Sequence, residues 1–368
     1  MRFTSAVAVA PLVAAAAAFT PASTSGTDKL AAKGLINLAI YEVENYKNLS
    51  TTCNTTTGYV RMEWSSLSST ENTEYIDAVL CLQSKEAISG SIAPGAQSRY
   101  DDFVATHINQ TLTIHGTGNF LTWHRYFTWT YEHALRNECG YTGYQPYLNW
   151  GKYALDPLDA PVFDGSATSM SGNGVYRNES DVDVPYSALP EIVVPAGVGG
   201  GCVETGPFAN MSVNLGPLAG VYSDIPANPQ SDGLGYNPQI STDLITDYTD
   251  ITDFQTVMQG LFAEGLLGVH TAGHYLVGGD PGGDLFTSPG EPYFYLHHAQ
   301  IDRTYWIWQN HDLAARQNAI GGTITLDNDP PSRNTTLEDT IDLGVSADAI
   351  TIASAMSTLD GPFCYIYA

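Results

Sequence analysis

Residues 268–277 read Gly268-Val-His-Thr-Ala-Gly-His-Tyr-Leu-Val277, and residues 291–303 read Glu291-Pro-Tyr-Phe-Tyr-Leu-His-His-Ala-Gln-Ile-Asp-Arg303. In the first stretch His270 and His274 stand four apart, so a helix sends both imidazoles from one face, where they can bind one ion. Gly273 between them leaves room for another backbone to approach. In the second stretch His297 and His298 are adjacent, and successive helical side chains point about 100° apart, so only one can face a bundle interior. We assign His298 to that role because Phe294 lies one turn before it, which leaves His297 behind the ligand or facing a substrate. An isolated His-x-x-x-His is common by chance, and the weight comes from a second histidine triplet, His107, His115 and His124. There Phe120-x-x-x-His124 repeats the spacing of Phe294-x-x-x-His298. Six of the nine histidines thus form two triplets, while His133 and His311 read as structural or surface residues. Three neutral imidazoles per ion, with no Cys or carboxylate at ligand spacing, suit Cu, Zn, Fe or Ni and disfavour Mg or Ca.

Around these stretches the patterning is helical. Apolar periodicity predicts helices over 30–49, over 69–81 with Ser69 as its cap, on either side of the Gly116/Gly118 break between Arg99 and Glu138, over 254–277 and over 291–313. Residues 151–250, rich in Pro, Gly, Asn, Asp and Ser, read as long ordered loops, and 324–352 as short strands and turns.

Composition narrows the partners. With 14 Lys plus Arg against 39 Asp plus Glu and a formal charge of −25, the chain cannot neutralise many phosphates, which excludes nucleic acid. An anionic membrane surface would repel it, and nothing beyond the N-terminus runs apolar long enough to span a bilayer. The Ala/Val-rich run after Met1-Arg2-Phe3 reads as a secretory signal over 1–18, followed by a spacer over 19–33 and a single domain over 34–368. Six Asn-x-Ser/Thr sequons, at Asn48, Asn54, Asn109, Asn178, Asn210 and Asn334, fit a secreted glycoprotein. In an oxidising compartment four of the five cysteines pair. We expect Cys53 with Cys364 and Cys139 with Cys202, leaving Cys81 as a buried thiol.

From about Arg61 to Tyr367 the sequence resembles the tyrosinase and catechol oxidase (polyphenol oxidase) family of type-3 copper proteins, and within it the short secreted fungal forms. The resemblance rests on Gly118-Asn-Phe-Leu-Thr-Trp-His-Arg-Tyr126, on His270-Thr-Ala-Gly-His274 and on 291–303, where Glu291-Pro292 replaces the usual Asp-Pro. It implies a mainly α fold, a four-helix bundle holding a dinuclear copper centre among long loops, with a few short strands. It further implies that His107, His115 and His124 bind one copper and His270, His274 and His298 the other. Phe120 and Phe294 would pack the site, and Asp302 would hold a ligand imidazole through its far ring N–H. Arg61 and Tyr365-Ile-Tyr367 match residues that close the catalytic domain in relatives. Many relatives continue into a C-terminal lid, whereas this sequence stops at Ala368, and Thr113 stands where many fungal relatives carry a cysteine that cross-links to a ligand histidine.

The implied partners are O₂ and a small phenol, with an o-diphenol oxidised to an o-quinone. In relatives that hydroxylate monophenols strongly, a Glu before the first ligand of the second copper and an Asn directly after that ligand orient a water. Here Glu264 is the candidate base, and the residue after His270 is Thr271, so we expect o-diphenol oxidation to dominate. The rivals are a tyrosinase acting chiefly on monophenols, a haemocyanin-like oxygen carrier, a di-zinc hydrolase, and a relative that binds phenols without turnover. The hydrolase lacks its bridging carboxylates, and retention of all six histidines speaks against the inactive relative.

Overall fold

Helix α1 (Gly26–Asn45) begins inside the stretch 19–33 whose composition reads as a spacer, and it is anchored from its first turn: Asp28 is buried and accepts from Arg303 (2.9 Å) and from the Asn149 amide (3.0 Å). The computed structural model describes residues 26–45, 52–154, 156–170, 172–184, 192–216 and 238–368, so the expected signal segment and the Asn48 sequon lie outside the described residues.

Local signals fix the next helices. Ser68, one residue before the expected cap, opens α2 (Ser69–Ser84) with a capping box in which Ser68 accepts from the Glu71 N–H and Glu71 accepts from the Ser68 N–H. Ser98 and Asp101 do the same for α3 (Arg99–Gln110). Helix α4 (Phe120–Cys139) stops at Gly140, which takes the left-handed conformation. After α5 (Pro238–Asp247), the single helix expected over 254–277 is two, α6 (Ile251–Gln259) and α7 (Gly268–Val277). The break falls where Gly260, Gly265 and Gly268 all take positive φ. Helix α8 (Phe294–His311) is buried over nearly its whole length, and α9 (Leu313–Arg316) adds one turn after it.

The fold is mainly helical, with α8 at its centre, packed by α1, α4 and α7, while α2 backs α4. Among the described residues, four two-stranded ladders trim it. The strand β1 (Tyr59–Arg61) pairs in parallel with β8 (Tyr365–Tyr367), and β2 (Gly174–Tyr176), β3 (Val182–Val184), β4 (Ile192–Val194), β5 (Gly200–Val203), β6 (Thr340–Ile341) and β7 (Ile350–Thr351) pair antiparallel as β2–β5, β3–β4 and β6–β7. No described helix is long and apolar enough to cross a membrane.

The β1–β8 ladder brings together a buried charge network. The Arg61 guanidinium lies 3.7 Å over the Tyr365 ring, donates to the Tyr367 hydroxyl at 3.0 Å, and pairs with Glu132 at 2.8 Å. Asp302 accepts from Arg125 Nε (2.6 Å), Tyr365 (2.5 Å) and Tyr367 (2.7 Å). All of these groups are buried, so each charge depends on its partner for the solvation it has lost.

Two disulfides are present, and one differs from expectation. Cys53 bonds Cys364 as expected, but Cys139 bonds Cys81, and Cys202 is the free, exposed thiol. The physical reason is packing: Cys81 lies on α2 and Cys139 ends α4, and the contact between those helices brings their Cα atoms to 5.9 Å. Cys202 is carried off on β5.

Candidate metal centre

Four helices deliver the two triplets. His107 comes from α3, His115 from the turn after it and His124 from α4; His270 and His274 come from α7 and His298 from α8. The rings of the first triplet stand 5.1–5.7 Å apart, centre to centre, and those of the second 4.7–5.3 Å. The triplets meet through His124 and His298, stacked at 4.5 Å with 19° between planes, and through His115 and His270 at 5.9 Å.

Backbone carbonyls orient most of these rings. Nδ1–H of His107 donates to Phe286 O (2.8 Å), of His115 to Thr111 O (2.9 Å), of His124 to Phe120 O (2.8 Å), and of His274 to Gly282 O (3.2 Å). Each leaves its Nε2 turned inward. Nε2 of His107 and of His124 are buried with no hydrogen-bond partner, and the Nε2 atoms of His270, His274 and His298 converge, with 3.2 Å between His270 and His274 and between His274 and His298. Orphaned ring nitrogens at this depth are costly unless an electron-pair acceptor takes them, and the nitrogen-only donor sets suit a borderline metal such as copper. Burial keeps the rings neutral, as metal binding requires: His115 is pushed down to about 4, and His107, His124, His270, His274 and His298 lie well below the ordinary imidazole range.

Phe120 and Phe294 seal the cluster. Phe120 lies 4.9 Å from His124 and 4.8 Å from His270, and Phe294 stacks on His298 at 4.1 Å while also touching His107 and His274.

His297 is fully buried behind the second triplet, where Nε2–H donates to His270 O at 3.0 Å and the ring packs between Trp150 and Tyr293. Gly273 does make room, though for this ring and not for another backbone: a Cβ at Gly273 would overlap the His297 imidazole. Asp302 differs from expectation more sharply. Its hydrogen bonds go to Arg125, Tyr365 and Tyr367 and none to an imidazole, because the guanidinium and the two phenols claim both of its oxygens, while Nδ1 of His298, one turn earlier, is buried without a partner. Glu264 stands exposed on the short turn Phe262–Glu264, six residues before His270. Thr271 spends its hydroxyl on Gln259 O at 2.6 Å. Thr113 is exposed and donates to Gln110 O, away from His115. His133 stacks on Trp129, and His311, half-buried, donates to Leu30 O and ties α8 to α1.

The residues that orient the rings, Thr111, Gly282 and Phe286, escape sequence reasoning because they act through carbonyls that every residue type carries. Trp150, against His297, had no periodicity to mark it.

Comparison with known proteins agrees with this geometry. Residues 97–311 match the profile "Common central domain of tyrosinase". The chain is 44% identical over 296 residues to the tyrosinase-like protein orsC of Emericella nidulans, covering 73% of this chain and 78% of that one. It is 38% identical over 331 residues to Tyrosinase P of Aspergillus terreus, covering 84% and 91%. A variant polyphenol oxidase from Thermothelomyces thermophila superposes with a TM-score of 0.85 at 41% identity, over 93% of this chain and 97% of that one.

Proposed function

The chain belongs to the tyrosinase family of type-3 copper proteins, and from that premise we propose that it oxidises o-diphenols to o-quinones with O₂, ortho-hydroxylation of monophenols being slower. The observation that carries this is the pair of buried, neutral, inward-facing histidine triplets in contact through His124 and His298. His107, His115 and His124 would hold one copper and His270, His274 and His298 the other, and the bound pair would supply O₂ activation and accept the electrons of the diphenol. Two diphenols and one O₂ give two quinones and two waters.

The chain's own contribution is orientation and dryness. The carbonyls of Phe286, Thr111, Phe120 and Gly282 fix the ring planes and tautomers, leaving each inner nitrogen free to ligate. Phe120 and Phe294 keep water from the spaces between rings. The preference for diphenols is supported by what the site lacks. A monophenol must lose its proton to bind, yet Glu264 points to solvent and the Thr271 hydroxyl is committed to Gln259, so neither orients a water beside His270.

Copper-loaded protein supplied with catechol and with tyramine tests this. Faster quinone formation from catechol is expected. A faster tyramine reaction would make the protein a monophenol-directed tyrosinase, and reversible O₂ uptake without quinone would make it an oxygen carrier.

A further inference from the structure

If the cluster oxidises phenols as proposed, the substrate ring lies at the histidines and its remaining group extends among the segments around them. Neither Lys nor Arg occurs from Tyr100 to His124, nor from Asn178 to Asp302. The cations that bracket these stretches are paired: Arg99 with Asp102 and Glu138, Arg125 with Asp302, Arg303 with Asp28, and the exposed Arg177, more loosely, with Glu179 at 3.9 Å. Two further cations on neighbouring segments are bound as well. Lys152, beside Trp150, pairs with Glu63, and Arg333, near the Thr335 that packs on Gly118, pairs with Asp339.

Carboxylates, by contrast, sit on the segments that touch the ligand rings. Asp280 and Asp284 flank Gly282, whose carbonyl holds His274, and Asp284 lies two residues before Phe286, whose carbonyl holds His107. Asp284 is partly used by the backbone N–H groups of Phe286 and Thr287. Asp327 packs over Gly116, next to His115. The exposed large side chains on adjoining positions are apolar: Leu112 between His107 and His115, Leu266 before α7, and Leu285 beside Asp284.

We propose that this site selects phenols whose group remote from the ring hydroxyls is neutral or cationic, and discriminates against phenols carrying a carboxylate, sulfonate or phosphate there. The proposal rests on the phenol-oxidase assignment and narrows it to a substrate class. An anionic tail that leaves water near the cluster finds no guanidinium or ammonium to replace its hydration, and it meets like charge. Bound copper adds positive charge of its own. That charge acts on the ring oxygens of every congener alike, so the tail alone separates them.

The test uses copper-loaded protein and three catechols of equal tail length, ending in a carboxylate, a primary amide and an ammonium group, assayed near neutral pH at low and high salt. The expected kcat/KM for the carboxylate is roughly tenfold or more below that for the amide, and the gap narrows as salt screens the carboxylates. The ammonium compound should match or exceed the amide. In a double variant, Asp280→Asn with Asp327→Asn, the carboxylate-to-amide ratio should move toward one. Equal or faster turnover of the carboxylate, or an unchanged ratio in the double variant, overturns the selectivity while leaving the phenol oxidase intact. Failure to oxidise any of the three overturns the phenol-oxidase assignment itself, and the selectivity with it.

Discussion

The imidazole of His297 lies over the bare Cα of Gly273, in the space that a side chain there would fill. This contact joins α7 to α8, and with them His270 and His274 to His298; the His297 bond to His270 O reinforces it. A glycine inside a helix costs about 1 kcal/mol relative to alanine, so the position trades helix stability for close approach. Gly273→Ala should therefore push the helices apart, and copper analysis should fall from two ions per chain toward one while the His107/His115/His124 site stays filled. A variant that keeps both ions and full stability would show that the contact is incidental. His297→Gln, which can still donate to His270 O, should retain more copper than His297→Ala.

Glu291 is buried just before α8, and burial pushes its carboxyl up to about 7, offset in part by the Tyr293 N–H it accepts. Its folded pKa exceeds the unfolded value of about 4.3, so the folded chain binds the extra proton and loses stability as pH rises from there through 7. Glu291→Gln keeps the acceptor and removes the charge. Denaturant titrations should find the variant more stable by about 3–4 kcal/mol at pH 8 and equal to the parent near pH 4. A difference independent of pH would refute the assignment.

Asp302 neutralises Arg125, and Arg61 lies 3.6 Å away in the same dry network. Asp302→Asn leaves buried guanidinium charge without its partner, for which a loss of about 3–5 kcal/mol is expected. The loss should show in thermal or chemical unfolding of the copper-free chain as much as of the loaded one, because the network does not touch the histidine rings. An effect confined to the copper-loaded protein would restore the role in holding an imidazole that its position in the sequence suggests.

With Cys53–Cys364 and Cys81–Cys139 closed, one thiol remains. Alkylation of the native, unreduced protein followed by peptide mapping should label Cys202 alone. Label on Cys81 or Cys139 would contradict the pairing.

How far the sequence reached depended on the kind of signal involved. The six histidines were legible because helical spacing is a short-range property, and the Phe-x-x-x-His repeat marked His124 and His298. The start of the helix near 69 was legible from its capping pattern, although the expected cap, Ser69, lies one residue after the actual one, Ser68. The break between α6 and α7 was missed because apolar residues continue through it while three glycines bend the backbone. The partners of Asp302, Cys139 and Gly273 were misassigned for a common reason. Each is set by which helix packs on which, a long-range relationship that residue spacing does not encode.

The parallel pairing of β1 with β8, clasped by Cys53–Cys364, also changes what a protease can do. Everything from residue 54 to 363, including all four ligand-bearing helices, lies within one covalent ring. A single backbone cut anywhere in that span converts the ring into two pieces still joined by sulfur, so nicked protein should migrate intact under non-reducing conditions and separate only when a thiol is added. The long stretch between α4 and α5 can thus be cleaved without releasing either triplet from the other.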